Sequence, residues 1–144
     1  MTERAEHDQQ LMQRIQQIWL PLFAGPPKPA VFSDEQWQKI LNDGWLQNLQ
    51  KAKDSVAKIR ARGGEVFFVR HPSSGELRLK EEQVTPRALV WDRLLRETGT
   101  QGVYYEDYPE LRDFECPEWS HLSASDSVEY TRRLSEILKR LGWI

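Results

Sequence analysis

Cysteine, long apolar segments and a surplus of one charge sign are all scarce in this chain. The single cysteine, Cys116, excludes an internal disulfide framework and a cysteine-rich zinc site. The polar first ten residues contain no apolar stretch suited to export or membrane insertion. Lys and Arg number 20 against 22 Asp and Glu, a net charge of -2. Because neither sign forms a long run, we expect no general attraction to nucleic acid or anionic lipid.

The amino acids that are present suit a single folded domain. A chain of 144 residues has the usual size of one domain, and six Trp, five Phe and four Tyr supply large side chains for burial. We therefore expect a soluble protein with one thin core, no membrane segment and no cofactor. It would be cytoplasmic as written, or exported if a further segment preceded Met1.

A proline-rich segment divides the chain into a head, residues 1–30, and a body, residues 31–144. Pro21 and the segment Gly25–Pro29 cannot continue a helix, so they predict a turn or an extended linker. Before them, apolar residues recur at helical spacing and predict a helix that ends near Leu20. These residues are Leu11, Ile15, Ile18 and Leu22.

The body begins with two predicted helices. Ser33 followed by Asp34 and Glu35 is typical of a helix N-terminus, so a short helix is expected with Trp37, Ile40 and Leu41 facing inward. A second helix is predicted from Gly44 and ends at Gly63 and Gly64. Its inward residues are Trp45, Leu49, Ala52, Val56 and Ile59.

A strand, helix, strand pattern follows. Residues 65–70 form an apolar run of β-forming residues that ends at His71 and Pro72, which predicts a strand buried on both faces. Thr85 and Pro86 predict the start of a helix that Gly99 ends, and residues 103–105 predict a second strand. Such a crossover joins parallel strands, so the fold class is α/β with helices flanking a sheet of few parallel strands.

The last predicted helix is capped by Ser123, with Asp126 three residues on. Its expected inward residues are Val128, Thr131, Leu134, Ile137, Leu138 and Leu141. Two strands alone leave the edges of the sheet uncovered. The sequence therefore predicts half of a larger sheet, which a second copy or another chain would complete.

Candidate chemistry lies in the loop of residues 114–123, between the second strand and the last helix. Glu118 and His121 are three residues apart, so the carboxylate can accept from one imidazole nitrogen and leave the other free to take a proton. The same spacing also suits a packed loop histidine beside a surface acid, so both interpretations are open.

The residues of this region resemble the carboxyl-terminal half of an SGNH-type (GDSL-like) hydrolase. The resemblance is carried by Asp107–Pro109, by Cys116–Ser123 and by Val69–Pro72. It implies a partial three-layer, flavodoxin-like sheet and ester hydrolysis or acyl transfer on a small-molecule ester. It also implies that His121 is the general base for a serine nucleophile and that Glu118, where the family has Asp, orients it.

The resemblance does not extend to the other catalytic residues of the family. The family's G-D-S nucleophile and its oxyanion Gly and Asn are not found between Met1 and Gly64, so the nucleophile would be supplied elsewhere. Ser73 and Ser74 beside Gly75 suit a turn better than a nucleophile, and Ser120 is expected to point away from His121. The alternative is a non-catalytic remnant or interaction module that pairs its sheet edge with a partner or with itself.

Arg70 at the end of the first strand has two open interpretations. Its guanidinium could bind an anionic group of the substrate, or it could form a structural ion pair, with Glu118 or Asp107 as partner. A metal site is not expected, because the available ligands lack a usual spacing. These ligands are His7, His71, His121 and Cys116.

Overall fold

The computed structural model describes residues 8–23 and 25–144, which contain five helices and a small parallel sheet of two strands. The helices are α1 (Gln9–Phe23), α2 (Asp34–Arg60), α3 (Gly75–Val84), α4 (Trp91–Thr98) and α5 (Ala124–Arg140). The strands are β1 (Phe67–Arg70) and β2 (Gln101–Tyr104), and a 3-10 turn over Tyr105–Asp107 follows β2. The structure thus combines helices with a small parallel sheet, as the predicted α/β class requires, whereas the SGNH architecture stays a prediction.

The chain forms two compact units. The first contains the described residues up to 23 together with Val69–Val84 and Val103–Ile144, and α1 packs against α3 within it. The second contains Gly25–Phe68 and Thr85–Gly102, and α2 packs against α4 within it. The predicted division near residue 30 stays a prediction. None of the helices in the described parts of the chain is both long and apolar enough to cross a membrane.

Helix α1 corrects two predictions about the head. It continues through Pro21 to Phe23, because a proline in the last turn removes one hydrogen bond without interrupting the preceding turns. The prediction that Pro21 belongs to a linker is therefore wrong, whereas Gly25–Pro29 is non-helical as predicted. Ile18 and Leu22 are 61% and 64% exposed, so the inward face is not the predicted stripe. The half-buried side chains of α1 are Leu11, Met12, Ile15, Gln16 and Trp19.

Helix α2 replaces the two helices predicted at the start of the body. Ser33 caps it as predicted: its Oγ accepts from the N–H of Gln36 at 3.2 Å, and the Gln36 side chain accepts from the N–H of Ser33 at 2.8 Å. The helix runs on through Gly44, whose cost of about 1 kcal/mol in a helix interior is small beside the continuous hydrogen bonding of 27 residues. Ile40 and Leu41 are exposed, contrary to the prediction.

The second unit is held together where α2 meets α4. Leu49 and Val56 of α2 are buried. The Arg60 guanidinium donates to the carbonyl oxygens of Thr98 and Gly99 at 3.1 and 2.9 Å, which places a cation at the C-terminal end of α4. Gly99 is left-handed, with φ of +61°, and ends α4 as predicted.

The segment between the strands differs most from the predictions. All four residues of β1 are half-buried, so burial on both faces is not observed. Helix α3 occupies residues for which the sequence predicts no element beyond a turn. Helix α4 begins at Trp91 and not near Pro86, because residues 87–90 form a turn in which the Val90 N–H donates to the Pro86 carbonyl.

Helix α5 begins where its cap predicts, and it buries Ile137 and Leu138 as predicted but not the whole predicted face. The Asp126 N–H donates to Ser123 Oγ at 2.9 Å, as predicted. Tyr130 is buried, whereas Val128 is 72% exposed and Leu141 is also exposed. The Tyr130 ring meets Phe114 edge to face at 5.4 Å, which rotates the buried face toward the 114–123 loop.

Candidate functional site

The candidate site is the 114–123 loop of the first unit, together with the start of α3. Trp119 has a φ of +77°, a conformation that bulky residues rarely adopt. The Trp119 N–H donates to the Cys116 carbonyl at 2.8 Å, which closes a tight turn. Strain of this kind persists only where surrounding contacts impose it, so the neighbours of Trp119 matter.

This conformation is imposed by Ser74, which directly precedes α3, and by Gly75, the first residue of α3. The Ser74 N–H donates to the Trp119 carbonyl at 2.9 Å, and Ser74 Oγ accepts from the Cys116 N–H at 2.8 Å. A β-carbon on Gly75 would lie 2.3 Å from Nε1 of the Trp119 indole, and the φ of Gly75 is +53°. Only glycine fits there, so the first turn of α3 is shaped to receive the indole.

Glu118, Ser120 and His121 form one cluster within this loop. Glu118 Oε1 lies 2.7 Å from Nδ1 of His121. Ser120 Oγ lies 2.7 Å from the same nitrogen and 2.9 Å from Glu118 Oε2. The prediction that Glu118 and His121 meet is therefore confirmed as a contact, whereas the prediction that Ser120 points away is wrong. Its hydroxyl touches both partners because the left-handed Trp119 turns the chain back on itself.

Burial differs sharply across the cluster. Glu118 is 1% exposed, whereas the His121 side chain is 60% exposed. An ionised carboxylate only accepts hydrogen bonds, so an ionised Glu118 makes Nδ1 of His121 the donor, and a neutral ring then carries its lone pair on Nε2. Among the described residues, Nε2 has no hydrogen-bond partner. The arrangement can therefore accept a proton at the protein surface.

Two buried groups of the first unit, Cys116 and Tyr130, stay neutral. Burial, followed by the negative charge of Glu118, raises the pKa of the Cys116 thiol to about 11. Its Sγ donates to the Pro72 carbonyl at 3.4 Å. Burial also raises the pKa of Tyr130 to about 12. A thiol held in this way is a poor nucleophile, so Cys116 has a structural part in the loop.

Arg70 lies with α3 and not with the partners that the sequence suggests. Its Nη2 donates to Ser73 Oγ at 3.2 Å and to the Glu81 carboxylate, and Ser73 also donates to Glu81. Among the described residues, Arg70 forms its hydrogen bonds and its ion pair with Ser73 and Glu81, and not with the expected partners Glu118 and Asp107. The ion-pair interpretation thus describes what Arg70 does here, and its substrate-binding part stays a prediction.

The remaining candidates take structural positions. Ser73 is buried against Glu81, and Ser74 supports the Cys116 backbone, so neither lies against His121. Sequence reasoning missed Ser74 and Gly75 as supports of the loop. The signal available was a serine and a glycine directly before an unassigned polar segment, which also suits a helix start.

A cavity of about 450 Å³ opens at the start of the 114–123 loop, and its lining does not include His121. It is lined by Asp113, Phe114, Glu115, Asp126 and Arg133. Within residues 8–23 and 25–144, no three His, Cys, Asp or Glu side chains are placed to hold a metal ion. His7, one of the metal ligands considered, lies outside the described residues.

No family model, curated protein or solved structure matches this chain. The resemblance to SGNH-type hydrolases therefore stays a prediction from the sequence. What the site can do follows from its geometry.

Proposed function

We propose that this chain carries the general-base portion of a site for ester hydrolysis or acyl transfer, with His121 as the base and Glu118 as its orienting carboxylate. One observation carries the proposal: a fully buried glutamate holds Nδ1 of an exposed histidine at 2.7 Å. A carboxylate so placed selects the Nδ1–H tautomer and stabilises the imidazolium that forms on proton uptake. Nε2 is then the atom that takes the proton.

The proton comes from a hydroxyl outside this cluster. None of the serines at the start of α3 lies against His121, so the nucleophile is water or a serine of another chain segment or partner. Attack on an ester carbonyl would transfer the hydroxyl proton to Nε2, and the imidazolium would return it to the leaving alcohol. The resemblance to SGNH-type hydrolases supports the same assignment of roles.

The test is hydrolysis of short-chain aryl esters such as p-nitrophenyl acetate by the full chain. His121→Ala is expected to lower kcat/KM about a hundredfold, since a positioned general base contributes about 100- to 10,000-fold. Glu118→Gln is expected to lower it by a similar factor, because the amide no longer requires the Nδ1–H tautomer. His71→Asn is the matched control and should leave the rate unchanged.

Activity that survives His121→Ala would remove this histidine from the mechanism. A wild-type chain no faster than free imidazole at the same concentration would show that it is not an esterase by itself. That result would favour the second candidate below.

The second candidate is an interaction module that associates with a partner or with itself. The observation that favours it is the exposure of Ile18 and Leu22, four residues apart on α1. Sedimentation of the wild type and of an Ile18→Asp/Leu22→Asp variant tests this function. Concentration-dependent dimers that the double variant abolishes would support it, and a monomer at all concentrations would argue against self-association.

A further inference from the structure

We infer that Ser120 is a positioning residue, which selects the tautomer of His121 by satisfying the second oxygen of the Glu118 carboxylate. The inference rests on the proposed function, because it concerns the same base. The E-x-x-H spacing by itself does not assign a positioning role to the Ser120 hydroxyl. That role follows from the distances within the folded loop.

The hydrogen bonds of the cluster admit one consistent arrangement of protons. An ionised Glu118 has no proton to give, so the Ser120 hydroxyl donates to Oε2 at 2.9 Å. The Nδ1–H of His121 donates to Oε1 and is shared with Ser120 Oγ, each at 2.7 Å. The hydroxyl proton and the Nδ1 proton then serve these three contacts, and both oxygens of the carboxylate accept a hydrogen bond.

Burial makes the hydroxyl necessary. At 1% exposure, Glu118 has no ready access to water that could replace a lost donor. A buried carboxylate oxygen without a donor is costly, so loss of the hydroxyl favours a protonated carboxyl. A protonated Glu118 would donate to Nδ1, and the ring proton would then reside on Nε2. The base would be blocked at the atom that has to accept the proton.

The experiment measures the tautomer directly. Long-range 1H–15N correlation spectra of the uniformly 15N-labelled full chain, at a pH where the ring is neutral, distinguish a protonated from an unprotonated ring nitrogen. His121→Asn and His71→Asn assign the signals. The wild type is expected to show a protonated Nδ1 and an unprotonated Nε2 at His121.

Ser120→Ala is expected to move the two nitrogen shifts of His121 toward each other or to exchange them, and Ser120→Thr is expected to restore the wild-type shifts. A Ser120→Ala spectrum identical to that of the wild type at His121 would overturn the inference. Dispersed amide spectra establish that each variant is folded. If Ser120→Ala does not fold, Ser120→Cys, whose thiol is a weaker donor, should shift the tautomer in the same direction.

Ester hydrolysis separates this inference from the proposed function. Ser120→Ala should lower kcat/KM roughly tenfold, less than His121→Ala, because it depopulates the base without removing it. A tautomer that changes in a chain without turnover would support the positioning part and refute the proposed function. Turnover that is lost in His121→Ala, together with a His121 tautomer that is unchanged in Ser120→Ala, would support the proposed function and refute the positioning part of Ser120.

Discussion

Tyr130 has the only buried side-chain oxygen or nitrogen without a hydrogen-bond partner in the described part of the chain. Its ring contacts Phe114 and lies 5.5 Å from the His71 ring, so the side chain is retained for its packing. A buried hydroxyl without a partner costs about 1–3 kcal/mol of desolvation. The phenol oxygen of Tyr130 therefore lowers the stability of the fold.

Tyr130→Phe is expected to raise the free energy of unfolding by about 1 kcal/mol, because it keeps the ring and removes the unpaired hydroxyl. Urea denaturation measures the change. The matched control is Tyr105→Phe, which removes a hydroxyl that donates to Glu106 at 3.0 Å and should lose about 1 kcal/mol. A destabilised Tyr130→Phe would show that the hydroxyl has a partner after all.

Cys116 should resist thiol reagents in the folded protein. With its pKa raised to about 11, the thiolate fraction at pH 8 is about a hundredfold smaller than for a thiol at its ordinary value of 9.0. Burial adds a steric barrier. Labelling by a disulfide reagent is therefore expected to be at least about a hundredfold slower in buffer than in denaturing urea. Equal rates would contradict the burial of this side chain.

Among the elements, α3 meets the candidate site through its first residue, Gly75, which lies against the Trp119 indole. Gly75→Ala adds a β-carbon 2.3 Å from the Trp119 indole nitrogen and strains a positive φ, so it should cost about 2–4 kcal/mol. Gly63→Ala is the matched control, since Gly63 has a φ of +79° but nothing within 4 Å of the added carbon. Its expected cost is about 1 kcal/mol. Urea denaturation of both variants separates the clash from the backbone strain. Equal losses of unfolding free energy would show that the added β-carbon at position 75 does not clash with the Trp119 indole.

The elements also show how far local patterns reach. Ser33 and Ser123 begin α2 and α5 as predicted, because an N-cap depends on residues within one turn. Gly44 was predicted to separate two helices, yet α2 continues through it. A glycine lowers helix stability without forbidding the helix, so its effect depends on the rest of the element.

At the scale of the whole molecule, His71 couples folding to pH. Partial burial, followed by the charge of Arg70, lowers the pKa of His71 below its ordinary 6.5. Below pH 6.5 the unfolded chain therefore binds a proton at this residue more readily than the folded chain does. Its contribution to stability is fully present above pH 6.5 and is lost as the pH falls toward the folded pKa.

His71→Asn should consequently flatten the pH dependence of stability between pH 7.5 and 5.5. The measurement is the free energy of unfolding by urea at both values, and the quantity of interest is the difference between wild type and variant. Carboxylates and the other histidines titrate in both proteins and cancel in that difference. An unchanged slope would show that His71 has its ordinary pKa in the fold.

The sequence by itself determined the features that depend on neighbours within a few residues. Both helix caps, the end of α4 at Gly99, and the contact between Glu118 and His121 are of this kind, since three residues in a turn bring the two side chains together. Tertiary structure decided the rest. The strained φ of Trp119 exists because Gly75, far away in sequence, leaves room for the indole.

The burial of Tyr130 on α5 and the partner of Arg70 were likewise decided by packing. Ile137 and Leu138 are buried as the apolar periodicity predicts, whereas Tyr130 is buried where its ring meets Phe114. A guanidinium at a strand end can reach several carboxylates, and here it pairs with Glu81 of α3. Contacts across long stretches of chain are set by how elements meet in space, which no short pattern of residues encodes.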